Sequence, residues 1–93
     1  MKVLNEKVLV RVAGEEEVSK GGIILTTAKQ DRKYEGTVID VGTSEDIANL
    51  GIRKGDYVYY TKGMNTEFVT KEDGVDVTYD VVSVYDVLAV REE

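Results

Sequence analysis

Short stretches in which apolar and polar residues alternate constrain the fold of this chain more than any other feature. Val8, Val10 and Val12 fall on one face of a strand and Leu9 on the other, so this strand is predicted to be partly buried on both faces. Similar stretches recur at 37–42, 56–61, 67–70, 75–79 and 84–90. The last is predicted to end the chain as one strand. The chain is therefore predicted to be all-β.

Glycines separate these stretches and set the predicted turns. Asp73-Gly74 supplies the positive backbone dihedral angles that a tight hairpin needs. The segment from Ser44 to Gly51 is the candidate helix, with Ser44 as N-cap and Gly51 as its stop, and an irregular loop is the alternative. We expect one domain, residues 1–93, folded as a small, partly irregular β-barrel.

Composition excludes several classes of function. The chain carries 12 basic and 18 acidic residues, a net charge of −6, and its basic residues are scattered. Double-stranded nucleic acid and anionic membranes are therefore not expected as partners. The chain has no cysteine and no histidine, which removes thiol chemistry, the commonest general base and the commonest metal ligand. Neither catalytic residues nor a metal site is predicted, and the chain is not expected to be an enzyme. The N-terminus lacks a signal-peptide pattern, so a cytoplasmic location is expected.

Three tyrosines close together in the sequence could suggest a stacking platform for single-stranded nucleic acid. Tyr57 and Tyr59 share one face of a predicted strand, whereas Val58 and Tyr60 share the other. Because no basic groove accompanies them, packing in the core or at an interface is the favoured interpretation.

The run Gly21-Gly22-Ile23-Ile24-Leu25 places three aliphatic side chains in an otherwise polar stretch. Neither flank has the apolar spacing to fold onto a core, so the stretch is predicted to be mobile. Its aliphatic residues then either fold back onto the core as a strand or remain available to bind a partner. Gly21, Gly22, Ile23, Ile24 and Leu25 are the candidate partner-binding residues.

The two ends of the chain are apolar enough to pair with another copy. If the first strand of one copy pairs with the last strand of the next, a ring closes when the rotation fits. The candidate subunit-interface residues are Val3, Leu4, Val87, Leu88, Ala89 and Val90.

From about Val3 to Val90, the chain resembles the co-chaperonin (GroES) family, the small caps of group I chaperonins. The resemblance is carried by five motifs in family-like order, of which the Gly-Gly-Ile-aliphatic-Leu run is the most specific. The motifs are 7–10, 17–25, 36–42, 54–58 and 85–90.

The resemblance implies a homoheptameric ring of partly irregular β-barrels, with a mobile loop at about 15–34 and a roof segment at about 43–53. Ile23, Ile24 and Leu25 would enter a groove on the apical domains of a GroEL-like chaperonin, closing a cavity around an unfolded client protein. ATP would be bound by the chaperonin, so this chain would need no cofactor. The roof segment is shorter than is usual in the family. Some phage-encoded relatives also vary here, and for a phage-encoded chain the expected location is the cytoplasm of the host.

Two alternatives remain open at the level of the sequence. One is a monomeric β-barrel adaptor or peptide-binding module that uses the aliphatic triplet as a docking strand. The other is an enzyme domain similar to the catalytic half of medium-chain alcohol dehydrogenases, against which the absent cysteines and histidines argue.

Overall fold

The computed structural model describes residues 2–13 and 33–92, and these form an all-β domain. Its strands are β1 (Lys7–Val12), β2 (Glu35–Val41), β3 (Tyr57–Tyr60), β4 (Asn65–Glu72), β5 (Val75–Ser83) and β6 (Val87–Val90). A short helix, α1 (Glu45–Asn49), connects β2 to β3, and a 3-10 helix at Val84–Asp86 precedes β6. The all-β prediction is confirmed.

The six strands form one antiparallel sheet in the order β4-β5-β1-β2-β3-β6. Strands β5 and β3 are three places apart in this order, which is about 14 Å in a flat sheet. Nevertheless, the Tyr60 hydroxyl on β3 donates to the Asp80 carboxylate on β5 over 2.5 Å. The sheet must therefore wrap around its interior, as expected of a small, partly irregular barrel.

The core lies inside this wrapped sheet and is built from small aliphatic side chains. Val8 and Val10 of β1 are fully buried there, and Ile47 of α1 belongs to the same cluster. Leu9 is 5% exposed although it faces the other way. The prediction that β1 is buried on both faces is confirmed. The core cluster comprises Val8, Val10, Val38, Ile47, Ile52, Val58, Tyr60, Val82 and Val84.

Two irregularities bend the sheet and turn apolar side chains outward. The pairing of β1 with β2 shifts between Leu9 and Val10, which leaves Ile39 as the extra residue on β2. The pairing of β3 with β6 shifts in the same way and leaves Leu88 as the extra residue on β6. Each bulge increases the local twist and interrupts the alternation of faces. Ile39 is 42% exposed and Leu88 is 70% exposed as a result.

The prediction of one continuous strand over 84–90 is wrong in its first half. The Ser83 hydroxyl accepts a hydrogen bond from the Tyr85 amide and caps the 3-10 helix, so β6 begins only at Val87. A serine side chain that hydrogen-bonds to nearby backbone competes with the hydrogen bonds between strands. Here the side-chain hydrogen bond is formed, and the first residues of the run do not form a strand.

The hairpin prediction is confirmed, and the structure decides between the two alternatives for the segment from Ser44 to Gly51. Asp73 and Gly74 have φ values of +53° and +79°, the left-handed pair that closes the β4–β5 hairpin. The Ser44 hydroxyl accepts from the Asp46 amide and caps α1, which lies in the predicted roof segment, and Gly51 follows with φ +81°. The segment is a capped helical turn rather than an irregular loop.

Candidate functional site

The five candidate docking residues, Gly21 to Leu25, lie outside the described residues, so the site is built from the two ends of the segment 14–32. Strands β1 and β2 are antiparallel neighbours with Val12 opposite Gly36. Beyond this pair, the Ala13 amide donates to the Glu35 carbonyl over 3.0 Å. The chain therefore leaves and re-enters the sheet at one place. We call Ala13, Tyr34 and Glu35 the root of the segment.

The inner face of the root is fixed by aromatic packing. The ring of Tyr34 meets that of Tyr60 edge to face, with 6.3 Å between centroids. The Tyr60 amide also donates to the Tyr34 carbonyl over 3.0 Å. Next to the root, a Cβ atom on Gly36 would lie 2.0 Å from the Arg11 carbonyl oxygen, so only glycine fits. Tyr34 and Lys33 are the part of the predicted loop, 15–34, that the described residues include.

The outer face of the root carries a polar and aromatic cluster, which we call the outer-face cluster: Glu35, Tyr57, Tyr59 and Arg91. The Tyr57 hydroxyl donates to the Glu35 carboxylate over 2.7 Å. The Arg91 guanidinium lies 4.0 Å from the centroid of the Tyr57 ring, a cation–π distance. It also donates from Nε and Nη2 to the Tyr59 hydroxyl, at 3.1 and 2.9 Å. The cluster thus spans β2, β3 and the residue that follows β6.

The electrostatics of this cluster favour a protonated Tyr57. Burial, reinforced by the hydrogen bond to Glu35, raises the pKa of Tyr57 to about 12, and the nearby Arg91 charge opposes this only in part. The hydrogen bonds to Tyr59 raise the pKa of Arg91 above its ordinary value. At neutral pH the cluster therefore holds a phenol that donates and a guanidinium that stays charged.

The candidate subunit-interface residues divide into exposed and buried groups. Leu4 is 54% exposed and Leu88 is 70% exposed, whereas Val3 is 5% exposed and packs within its own chain. Because of the bulge, Val87 and Val90 both turn toward the core and Ala89 turns outward with Leu88. Strand β6 is the last in the sheet order, with β3 on one side. It presents an apolar outer face, as an end strand of an assembly would.

A buried polar group holds β3, β4 and β5 together. Asp80 is fully buried, and it accepts hydrogen bonds from the Tyr60 hydroxyl at 2.5 Å and the Asn65 side-chain amide at 2.9 Å. Burial of a carboxylate is tolerated only with such donors. Since Tyr60 also packs on Tyr34, this group adjoins the inner face of the root.

The predicted division of the tyrosines between two faces is confirmed, but their partners could not be found from sequence. Val58 and Tyr60 are buried, whereas Tyr57 and Tyr59 are half-buried on the opposite face. Glu35 and Arg91 lie far from the tyrosines in sequence and reach them only through strand pairing. Sequence reasoning therefore missed both. Each lies within two positions of an end of a predicted strand, Glu35 before 37–42 and Arg91 after 84–90, which is a weak signal.

Residues 2–13 and 33–92 contain neither a candidate metal site nor a candidate membrane-spanning helix. This region contains no group of three or more histidine, cysteine, aspartate or glutamate side chains placed to hold a metal ion. Its helices are also too short and too polar for any of them to cross a membrane.

Comparison with known proteins gives a consistent result. The family model of the chaperonin 10 kDa subunit matches residues 1–91. A co-chaperonin GroES from Enterococcus faecalis is 35% identical over 97 aligned positions, covering 99% of each chain. A co-chaperonin GroES from Thermotoga petrophila is 36% identical over 90 positions, covering 97% of this chain and 94% of the relative. Two co-chaperonins GroES from Methanosarcina match over part of their length. The one from M. barkeri is 43% identical over 60 residues, and the match spans 65% of that relative. The match to the one from M. acetivorans spans 52% of that relative.

Proposed function

We propose that this chain, which belongs to the chaperonin 10 kDa subunit family, is a co-chaperonin that caps the ATP-bound ring of a group I chaperonin. In this function the chain is a binding partner and not an enzyme. ATP is bound and hydrolysed by the chaperonin, and this chain carries no cofactor of its own. Unfolded client proteins are enclosed beneath the cap, in the cytoplasm of the cell or of a phage host.

The geometric observation that carries this proposal is the root. Ala13 and Glu35, which flank the segment 14–32 in the sequence, are hydrogen-bonded neighbours on a wrapped sheet. A Gly-Gly-Ile-Ile-Leu run borne between two such fixed points can be offered to a partner without disturbing the strand order. We propose that Ile23, Ile24 and Leu25 enter an apolar groove on the apical domains of the chaperonin, and that Gly21 and Gly22 let the backbone approach it.

The energetics of this docking favour weak single contacts. Burying three large aliphatic side chains contributes about 5–9 kcal/mol. Ordering about six residues costs roughly 1–2 kcal/mol each, which nearly cancels that gain. One copy therefore binds weakly, and affinity comes from linked copies on a ring, whose later contacts are intramolecular. A cap held in this way can also be released by a modest change in the groove.

We further propose that the chain forms a homoheptameric ring through its ends. The exposure of Leu4 and Leu88, together with the position of β6 at the end of the sheet order, supports contacts between the N-terminal segment of one copy and β6 of the next. Ala89 belongs to the same outward face, while Val3, Val87 and Val90 support that face from within. An end strand covered by a neighbour is also protected from unspecific pairing.

The test is Ile24→Asp with Thr27→Asp as its matched control. Both variants add one negative charge to the same stretch, but only the first removes an aliphatic side chain. Each variant is mixed with a group I chaperonin, with and without ATP, and co-sedimentation is measured after native mass spectrometry has confirmed the same oligomer. We expect Ile24→Asp to abolish ATP-dependent binding and Thr27→Asp to retain it. Equal binding by the two variants would refute the docking assignment, and a wild-type chain of 10.3 kDa in solution would favour the monomeric adaptor.

A further inference from the structure

The outer-face cluster joins two parts of the chain that are remote in sequence. Arg91 follows β6 near one end of the chain, and Glu35 belongs to the root of the segment 14–32. Tyr57 lies between them. The Arg91 guanidinium stacks on its ring, 4.0 Å from the centroid, and its hydroxyl donates to Glu35 over 2.7 Å. Contacts in series of this kind can transmit a restraint from one end to the other.

Arg91 is held more firmly than a surface arginine usually is. Its backbone amide donates to the Tyr57 carbonyl over 2.7 Å, which aligns it with β3. Its side chain makes two hydrogen bonds to Tyr59, and the Tyr57 and Tyr59 rings pack against each other at 5.6 Å. The planar guanidinium can stack on one ring and donate to the next group at once, which an ammonium cannot do in the same geometry.

Glu35 passes this restraint to the root. Its side chain accepts from Tyr57, while its carbonyl accepts from the Ala13 amide. The Ala13–Glu35 bond is the last backbone bond described before the segment 14–32, and terminal ladder bonds open at little free-energy cost. A brace on Glu35 therefore acts where the sheet is weakest.

We propose that Arg91 is a positioning residue that holds the root of the segment 14–32 closed by way of Tyr57 and Glu35. This rests on the proposed function, in which the segment binds a chaperonin, and it makes that affinity depend on a residue beyond the last strand. Without Arg91, the root is open for a larger fraction of the time, and the apparent affinity of each copy falls in proportion to the closed fraction. A loss of about twofold per copy compounds to roughly a hundredfold over seven linked copies.

The primary test measures opening of the root directly, in the intact assembly and without a chaperonin. Amide hydrogen exchange of Ala13 is compared in the wild type, Arg91→Ala and the control Arg53→Ala. The control is the same substitution at an exposed arginine between α1 and β3. We expect exchange at Ala13 to become about threefold to fivefold faster in Arg91→Ala, the size of one exposed cation–π contact, and to stay unchanged in Arg53→Ala. Unchanged exchange in Arg91→Ala would overturn the proposal.

A second comparison separates a contact in series from a merely structural role. Tyr57→Phe keeps the ring under Arg91 but removes the hydrogen bond to Glu35, so it is expected to speed Ala13 exchange by itself. The double variant Tyr57→Phe, Arg91→Ala is expected to exchange little faster than the faster single variant, because both act on one path. Arg91→Lys is expected to recover part of the protection. Fully additive effects would refute the serial brace.

The last arm measures ATP-dependent binding to a group I chaperonin. We expect Arg91→Ala to bind roughly a hundredfold more weakly at unchanged ring size, and Arg53→Ala to bind like the wild type. Faster Ala13 exchange with unchanged affinity would overturn the positioning role. A wild-type chain that binds no chaperonin would instead refute the proposed function, and the exchange comparison would still decide whether Arg91 braces the root.

Discussion

Removing the Tyr60 hydroxyl is the most informative perturbation of the folded barrel, because this group closes the sheet on itself. In Tyr60→Phe the ring keeps its packing against Tyr34, and the hydrogen bond to Asp80 is lost. Asp80 is fully buried and Tyr60 is 3% exposed, so water cannot readily replace the missing donor. Asn65 remains as a donor to the other carboxylate oxygen.

The expected cost follows from the chemistry of this bond. A hydrogen bond to a charged group contributes about 1.5–3 kcal/mol, and its loss leaves a buried oxygen with one donor fewer. We therefore expect the free energy of unfolding to fall by about 2 kcal/mol, which lowers the melting temperature of a domain of this size by about 10 °C.

Tyr59→Phe is the matched control for this measurement. It likewise removes a tyrosine hydroxyl, from the neighbouring residue of β3. This hydroxyl lies on the half-buried outer face, where it accepts from Arg91. We expect a loss of about 0.5 kcal/mol or less there. Urea unfolding of all variants at one protein concentration measures both losses, since assembly makes apparent stability depend on concentration. Equal losses in Tyr60→Phe and Tyr59→Phe would refute the conclusion that the Tyr60–Asp80 bond closes the barrel.

Other predictions test the ends, the turns and the ionisation of the outer face. Leu88→Asp is expected to dissociate the ring in native mass spectrometry, whereas Val75→Asp, which also replaces an exposed aliphatic residue on a strand, is expected to leave it intact; rings in both would contradict the interface. Gly36→Ala is expected to cost about 3 kcal/mol because its Cβ would overlap a carbonyl of β1. A Cβ atom on Gly74 would meet no atom within 4 Å, so Gly74→Ala is expected to cost about 1 kcal/mol through its positive φ alone. Equal urea midpoints for Gly36→Ala and Gly74→Ala would contradict this difference in cost. The pKa of Tyr57 is raised to about 12, so its contribution to stability is complete below the ordinary tyrosine pKa of about 10 and is lost as the pH rises through about 12. A difference titration of ultraviolet absorbance between the wild type and Tyr57→Phe should show this step, and a step near 10 would be inconsistent with the hydrogen-bonded cluster.

Local patterns predicted much of the fold. The alternation around Val8 and Val10 identified a strand buried on both faces, and Asp73-Gly74 identified the hairpin through its backbone requirements. Ser44 identified the start of the short helix through its capping hydroxyl. Each of these signals depends on residues within a few positions of one another.

The features that sequence did not predict depend on pairing between distant strands. The bulge at Leu88 cannot be read from β6 alone, because it exists only relative to the register of β3. The bond between Tyr60 and Asp80 requires the sheet to wrap, and the contact of Arg91 with Tyr57 requires β6 to lie beside β3. For the candidate docking residues, the sequence supplies the motif, and the structure describes only the flanking residues, among them Ala13, Tyr34 and Glu35.

Capping of a chaperonin by this chain can be observed in a single experiment. Native mass spectrometry of the wild-type chain mixed with a group I chaperonin, with and without ATP, reports the mass of the complex and the number of copies bound. We expect one heptameric ring on a chaperonin end when ATP is present and no stable complex in its absence. A chain that stays monomeric, or that does not bind when ATP is present, would contradict it.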